Sequence, residues 1–175
     1  MDAILLEYLN SSANKPLVRF CSQCGSNLIE AEIDGRIRLT CTSDECNYVF
    51  WDPPTPVVAA IVEYEGKVVL ARNKKWPEGM FGLITGFLEK RETPESCILR
   101  EVKEELSLEG EIVSFIGHYS FFEMNQVILA FHVRSRGKLH VGEELAEIKL
   151  VTPKELRPWS FGAGIAVQDW LQGQS

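Results

Sequence analysis

The stretch from Gly86 to Leu106 constrains this chain more than any other. It reads Gly86-Phe87-Leu88-Glu89-Lys90-Arg91-Glu92, then Thr93-Pro94-Glu95, and closes on Arg100-Glu101-Val102-Lys103-Glu104-Glu105-Leu106. Thr93 suits a helix N-cap, and Pro94 suits the first helical position, where a missing N–H does no harm. Ile98, Leu99, Val102 and Leu106 recur at helical spacing and are expected to face a core. Glu101, Glu104 and Glu105 stand at i, i+3 and i+4, so they share another face. Three crowded carboxylates repel unless a cation sits among them, and hard divalent ions prefer such oxygen donors. On the helix alone, a solvated face with Arg100 and Glu104 as a surface pair is the readier reading.

Around this helix the pattern is mixed. Asp52-Pro53-Pro54-Thr55-Pro56 cannot be helical and marks a boundary. Val57–Tyr64 and Lys67–Arg72 flank Glu65-Gly66 and predict a hairpin. Residues 112–122 and 126–134 read as further strands. Pro153–Leu156 and Ala163–Leu171 read as closing helical pieces. Strands and helices alternating in this way predict an α/β sandwich with a mixed sheet. Residues 2–10 read as a short amphipathic helix. The predicted organisation is an N-terminal segment over 1–17, a small cysteine-bearing β module over 18–52 and an α/β domain over 53–175.

Four of the five cysteines fall in two close pairs. Cys21 and Cys24 form one turn, followed by Gly25. After sixteen intervening residues comes Cys41, and after four more Cys46. Thiolates bind Zn²⁺ tetrahedrally, and two such turns supply four ligands with no open position, so the site is expected to be structural. Free or disulfide-forming cysteines are the competing reading. Cys97 stands alone on the acidic helix and is expected to be a small packing residue.

The full spacing in the acidic stretch is a glycine, five residues, a glutamate, seven residues, Arg-Glu, an apolar residue, one residue and Glu-Glu. This resembles the Nudix hydrolase signature, and Trp76-Pro77-Glu78-Gly79-Met80-Phe81-Gly82-Leu83 is similar to that family's approach to it. The resemblance implies a Nudix α/β/α sandwich preceded by a zinc ribbon. It implies a hydrolase that cleaves the diphosphate linkage of a nucleoside diphosphate derivative with Mg²⁺ or Mn²⁺. Glu101, Glu104 and Glu105 would hold the metal, with the Gly86 carbonyl as a further ligand. Glu92 would pair with Arg100 and orient the helix carboxylates. Glu105 is the first candidate general base and Glu147 the second. Ser107 and Arg91 stand where the family commonly has glycine, which puts local backbone strain in question and leaves every ligand in place.

Ribbon plus Nudix domain is similar to the branch containing NADH and FAD/ADP-ribose pyrophosphatases. The NADH-directed members carry Ser-Gln-Pro-Trp-x-Phe-Pro after the signature, where this chain has His118-Tyr119-Ser120-Phe121-Phe122-Glu123-Met124. Gly142-Glu143-Glu144-Leu145-Ala146-Glu147-Ile148 is closer to the FAD/ADP-ribose members. FAD or ADP-ribose is therefore the expected substrate, with NADH, NAD or a nucleotide cap as alternatives. Pro158-Trp159-Ser160-Phe161 echoes the missing motif at a different place and is given no role.

Tyr119, Phe121 and Phe122 are candidates for stacking on a base, with core packing the competing reading for each. Arg72 and Lys74 are candidates for phosphate contacts. His118, His132 and His140 lack ligand-like spacing. The net charge of -7 disfavours nucleic acid as a partner, since counterion release gives an acidic chain little. No apolar run is long enough to span a membrane, and the start does not read as a secretory signal, so a cytoplasmic location is expected. Homodimer formation is left open. Two other classes compete: a regulator that senses a nucleotide without turning it over, and a zinc-ribbon nucleic-acid module.

Overall fold

The computed structural model describes residues 18–173. The expected helix over residues 2–10 lies outside them. The chain divides into two compact units at Pro53/Pro54.

The first unit is a three-stranded antiparallel sheet of β1 (Leu28–Ile33), β2 (Arg36–Cys41) and β3 (Val49–Phe50), in the order β1-β2-β3. Asp34 and Gly35 turn the β1–β2 hairpin, both at positive φ, which lets six residues pair on each side. Buried apolar side chains are scarce here: among the described residues of the unit only Cys21 is fully buried. Arg38 closes the far side, donating from Nη1 to the Trp51 carbonyl at 2.8 Å and lying 4.7 Å over the Trp51 ring.

The second unit is built on a six-stranded mixed sheet. Its strands are β4 (Thr55–Tyr64), β5 (Lys67–Asn73), β6 (Ile84–Phe87), β7 (Glu109–Phe121), β8 (Gln126–Arg136) and β9 (Leu145–Val151). The order is β7-β8-β4-β5-β9, with β6 also pairing β4. Only β4 and β8 run parallel. Two helices, α1 (Pro94–Leu106) and α2 (Gly164–Gly173), pack against it. Strand periodicity explains how β4 serves both. Val58, Ala60 and Val62 join Ile98, Val102 and Leu106 of α1 in one buried cluster. Val57, Ala59 and Ile61 join Ala166, Val167 and Trp170 of α2 in the other. Burial on both faces gives the continuous apolar run of a central strand. Each buried Val, Leu or Ile among them contributes about 1.5–3 kcal/mol.

The predicted hairpin forms, with Tyr64 opposite Lys67 across Glu65-Gly66. Helix α1 begins as read: Thr93 Oγ1 accepts the Ser96 N–H at 3.2 Å, Ser96 Oγ accepts the Thr93 N–H at 3.0 Å, and Pro94 follows. It ends at Ser107 in the left-handed region, φ 57°, whose N–H donates to the Lys103 carbonyl at 2.9 Å. Arg91 is also left-handed, φ 70°. Both positions where the resemblance leads one to expect glycine therefore carry strained side chains.

One expectation fails. Pro153–Leu156 is a turn, not a helical piece. Glu155 and Leu156 both donate to the Thr152 carbonyl, and the Thr152 hydroxyl donates to Glu155 at 2.7 Å. Pro158 stops propagation, since it lacks an N–H and biases Arg157 away from helix.

Candidate active site

Strand β6 and helix α1 together position the acidic group. Glu101 packs so closely over Gly86 that a Cβ there would collide with its carboxylate. Only glycine fits this strand position. Arg100 is the hub. Its Nε and Nη2 donate to the two oxygens of Glu92 at 2.9 and 3.0 Å. Its Nη1 donates to Glu101 at 2.7 Å and to Glu104 at 3.1 Å. Such a bidentate fork fixes orientation as well as charge. Glu92 also accepts the Glu89 N–H at 3.2 Å. The Arg100 bond, aided by that N–H, holds its carboxyl down at about 2.

Glu105 has no such partner. Desolvation, with Glu101, Glu144 and Glu104 close by, pushes it up to about 8. Glu101 is raised too, chiefly by desolvation, with Arg100 opposing. Glu144 reaches this group because the loop before β9 folds onto the end of α1. The Gly142 N–H donates to the Glu105 carbonyl at 2.7 Å, and His140 N–H to that of Leu106 at 3.0 Å. A Cβ at Gly142 would lie 2.6 Å from the Glu104 carbonyl, so this contact too requires glycine.

These carboxylates line a cavity of about 520 Å³, within the range of small-molecule sites. Its lining divides by chemistry. Glu89, Glu101, Glu104, Glu105 and Glu144, with Lys75 and Arg100, supply the charged part. Trp76, Phe81, Phe121, Met124, Trp159 and Phe161 are among the apolar residues that complete it. The carboxylate oxygens do not converge as a metal group among the described residues, because Arg100 lies between Glu101 and Glu104.

Several expected site residues are not brought here. Glu147, the second candidate base, is engaged by Arg72 at 2.7 Å. Arg72, expected at phosphates, also donates to the Trp76 carbonyl at 3.3 Å, and neither residue lines the cavity. Tyr119 packs against the α2-side cluster and donates its hydroxyl to Asp169 at 2.7 Å. Its pKa is raised by desolvation and then by that carboxylate. Phe121 does line the cavity, while Phe122 is 85% exposed. Glu144, given no role of its own in the sequence, also lines the cavity. So do Trp159 and Phe161, whose sequence echo was set aside. Their place in the chain gives no sign of this, because the approach is made by the turn before α2. Cys97 is fully buried, as expected of a packing residue, and its thiol donates to the Phe87 carbonyl at 3.3 Å.

In the first unit the four cysteine sulfurs all lie within 4.8 Å of one another and form the one such metal-holding group among the described residues. All five cysteines are free thiols. Gly25 at φ 78° lets the first turn close, its N–H donating to the Cys21 carbonyl at 2.9 Å. The backbone N–H groups of Gln23 and Ser43 donate to the Cys21 and Cys41 sulfurs, each at 3.4 Å. Cys24 is pulled down to about 6, first by the Ser26 hydroxyl and then by its N–H. Ser43's N–H lowers Cys41, but desolvation and the neighbouring sulfurs push it up to about 12. Four sulfurs this close cannot all ionise unless a cation sits among them.

The NUDIX domain family model matches residues 53–168. This chain belongs to the Nudix family. It is 30% identical over 148 residues to the NAD-capped RNA hydrolase NudC of Vibrio vulnificus (strain CMCP6), covering 81% of this chain and 53% of that protein. It is 26% identical over 150 residues to the protein of that name from Pseudomonas putida (strain KT2440), covering 85% and 53%. The chain thus spans about half the length of these curated relatives. Among solved structures, a NUDIX hydrolase from Nitrosomonas europaea superposes with TM-score 0.75 at 28% identity, covering 89% of this chain and 92% of that one. An ADP-ribose pyrophosphatase from Streptococcus suis shares the Nudix fold, with TM-score 0.57 at 16% identity, covering 69% and 92%. No described helix is long and apolar enough to cross a membrane.

Proposed function

We propose that this chain is a metal-dependent hydrolase of the diphosphate linkage in a dinucleotide-type substrate. The observation that carries this reading is the shared cavity. A carboxylate cluster braced by one arginine and an apolar lining suited to a planar base face the same space.

Glu101, Glu104 and Glu105, with the Gly86 carbonyl, would hold Mg²⁺ or Mn²⁺. The donors fit: they are hard carboxylate oxygens at the wall of one cavity. A divalent ion held there would offset the charge of the diphosphate and lower the pKa of the attacking water. Arg100, locked by Glu92, fixes Glu101 and Glu104. Glu105 is the first candidate for the general base that takes the proton from water. Glu144 is the alternative base, in place of Glu147. Cys21, Cys24, Cys41 and Cys46 would hold one structural Zn²⁺; four thiolates leave no open position for chemistry.

FAD and ADP-ribose are the favoured substrates, on the absence of the NADH-directed motif. A second reading, hydrolysis of an NAD cap, is favoured by the names of the curated relatives. The acidic net charge of -7 weighs against a long RNA contact. The test is kcat/KM for FAD, ADP-ribose, NADH, NAD⁺ and an NAD-capped RNA oligomer under one metal condition. FAD or ADP-ribose should lead. A tenfold advantage for NADH or the capped RNA, about 1.4 kcal/mol, would move the chain to that substrate. No cleavage of any of them would end the hydrolase reading.

A further inference from the structure

Phe161 is half-buried yet belongs to neither core cluster. Its ring lies 6.3 Å from that of Phe121, at 41°, and both line the cavity with Trp159. The segment that carries them is tightly set. Gly162 is left-handed, φ 51°, and a Cβ there would sit 3.3 Å from the Phe121 ring. A Cβ at Gly164 would collide with the Trp159 carbonyl and indole. Two glycines thus allow the chain to fold back on its own aromatic side chains before α2 begins. A phenyl ring that serves no core, held by close packing at the wall of a cavity, is free to present its face to a ligand.

Resting on the hydrolase reading above, we propose that Phe161 and Trp159, together with Phe121, form the surface on which the planar base of the substrate stacks. The turn before α2 is then a substrate-binding and specificity segment. Base–aromatic stacking contributes about 1–3 kcal/mol per base and tolerates different bases, because each offers a π-face. Binding of this kind acts equally on ground and transition states, so its loss is read in KM.

The experiment measures kcat and KM for ADP-ribose and FAD in the parent and in Phe161→Ala, Phe161→Leu, Phe161→Tyr and Trp159→Ala. Phe161→Ala and Trp159→Ala should each raise KM about tenfold, with kcat within about threefold. Phe161→Tyr should restore KM, and Phe161→Leu, similar in bulk without a π-face, should not. The proposal is overturned if Phe161→Ala leaves KM within twofold, or if leucine restores it as well as tyrosine, which would make Phe161 a packing residue. If the parent cleaves no dinucleotide, the hydrolase reading fails separately. Calorimetric binding of AMP then decides the stacking surface: at least fivefold weaker binding in Phe161→Ala supports it, and unchanged binding overturns it.

Discussion

The charged and apolar linings of the one cavity are built in opposite ways. Most of the charged lining comes from one contiguous stretch, Gly86 to Glu105, with Lys75 added from the segment after β5 and Glu144 from a loop folded onto the end of α1. The apolar lining is gathered from Trp76 and Phe81, from Phe121 and Met124, and from Trp159 and Phe161. Chemistry that needs fixed distances between carboxylates is met by a single helix, whose geometry sets the spacing. Contact with a flat ring needs only area, which any neighbouring turn can supply.

If the two linings divide the labour in this way, damage to them should differ in kind. The largest effect should come from Glu104→Gln and Glu105→Gln. Either removes a negative charge at nearly constant size. Activity should fall by roughly two to four orders of magnitude at saturating Mg²⁺, with the metal-free melting temperature held or raised. Rates within about threefold of the parent, roughly 0.7 kcal/mol, would make this helix a solvated face. Changes in the apolar lining should act on KM and leave kcat nearly intact.

The helix was legible because its signals are local. Thr93, Pro94 and the apolar residues Ile98, Val102 and Leu106 fix its start and inner face, and spacing alone places the three glutamates together. In the apolar lining Phe121 was legible as a stacking candidate, but Trp159 and Phe161 were not, because nothing in residues 158–161 indicates which turn they approach. Strand β9 was missed for a related reason. Leu145–Val151 is an edge strand beside a register shift at Arg72/Asn73, so its burial does not alternate cleanly. Glu147 lies on this strand, opposite Arg72 in register, and forms an ion pair with it.

The ribbon extends the comparison to a unit with almost no apolar core. Its order should depend on its four thiolates, with about one zinc per chain by elemental analysis. Cys24→Ser should lose that zinc and the protection of residues 28–50 against hydrogen exchange. A folded ribbon free of zinc would refute the metal.

Acid–base linkage should produce a smaller change. Glu105 is raised to about 8 in the fold, so in the metal-free protein the native state binds more protons than the unfolded chain above its ordinary range near 4.5. Stability should therefore fall as pH rises from about 5 towards 8. Glu92, lowered to about 2, gives the opposite slope at the acid end, where stability falls as pH drops. Mg²⁺ should flatten the alkaline decline, and Glu105→Gln should reduce it without metal. A melting temperature flat from pH 5 to 9 in the metal-free parent would show that Glu105 is not raised.

The smallest expected effect is at the end of α1. Ser107→Gly should raise stability by about 1 kcal/mol, because glycine accepts φ 57° without strain. Denaturant melts that give no gain would mean that the serine is not strained there.

The most direct measurement is product analysis after cleavage of ADP-ribose with Mg²⁺ in ¹⁸O-labelled water. Attack at the diphosphate should yield AMP and ribose 5-phosphate, with the label on one of the two phosphates and with both products lost in Glu105→Gln. Free adenine from cleavage at the glycosidic bond, or undiminished product from Glu105→Gln, would contradict diphosphate hydrolysis by this carboxylate cluster.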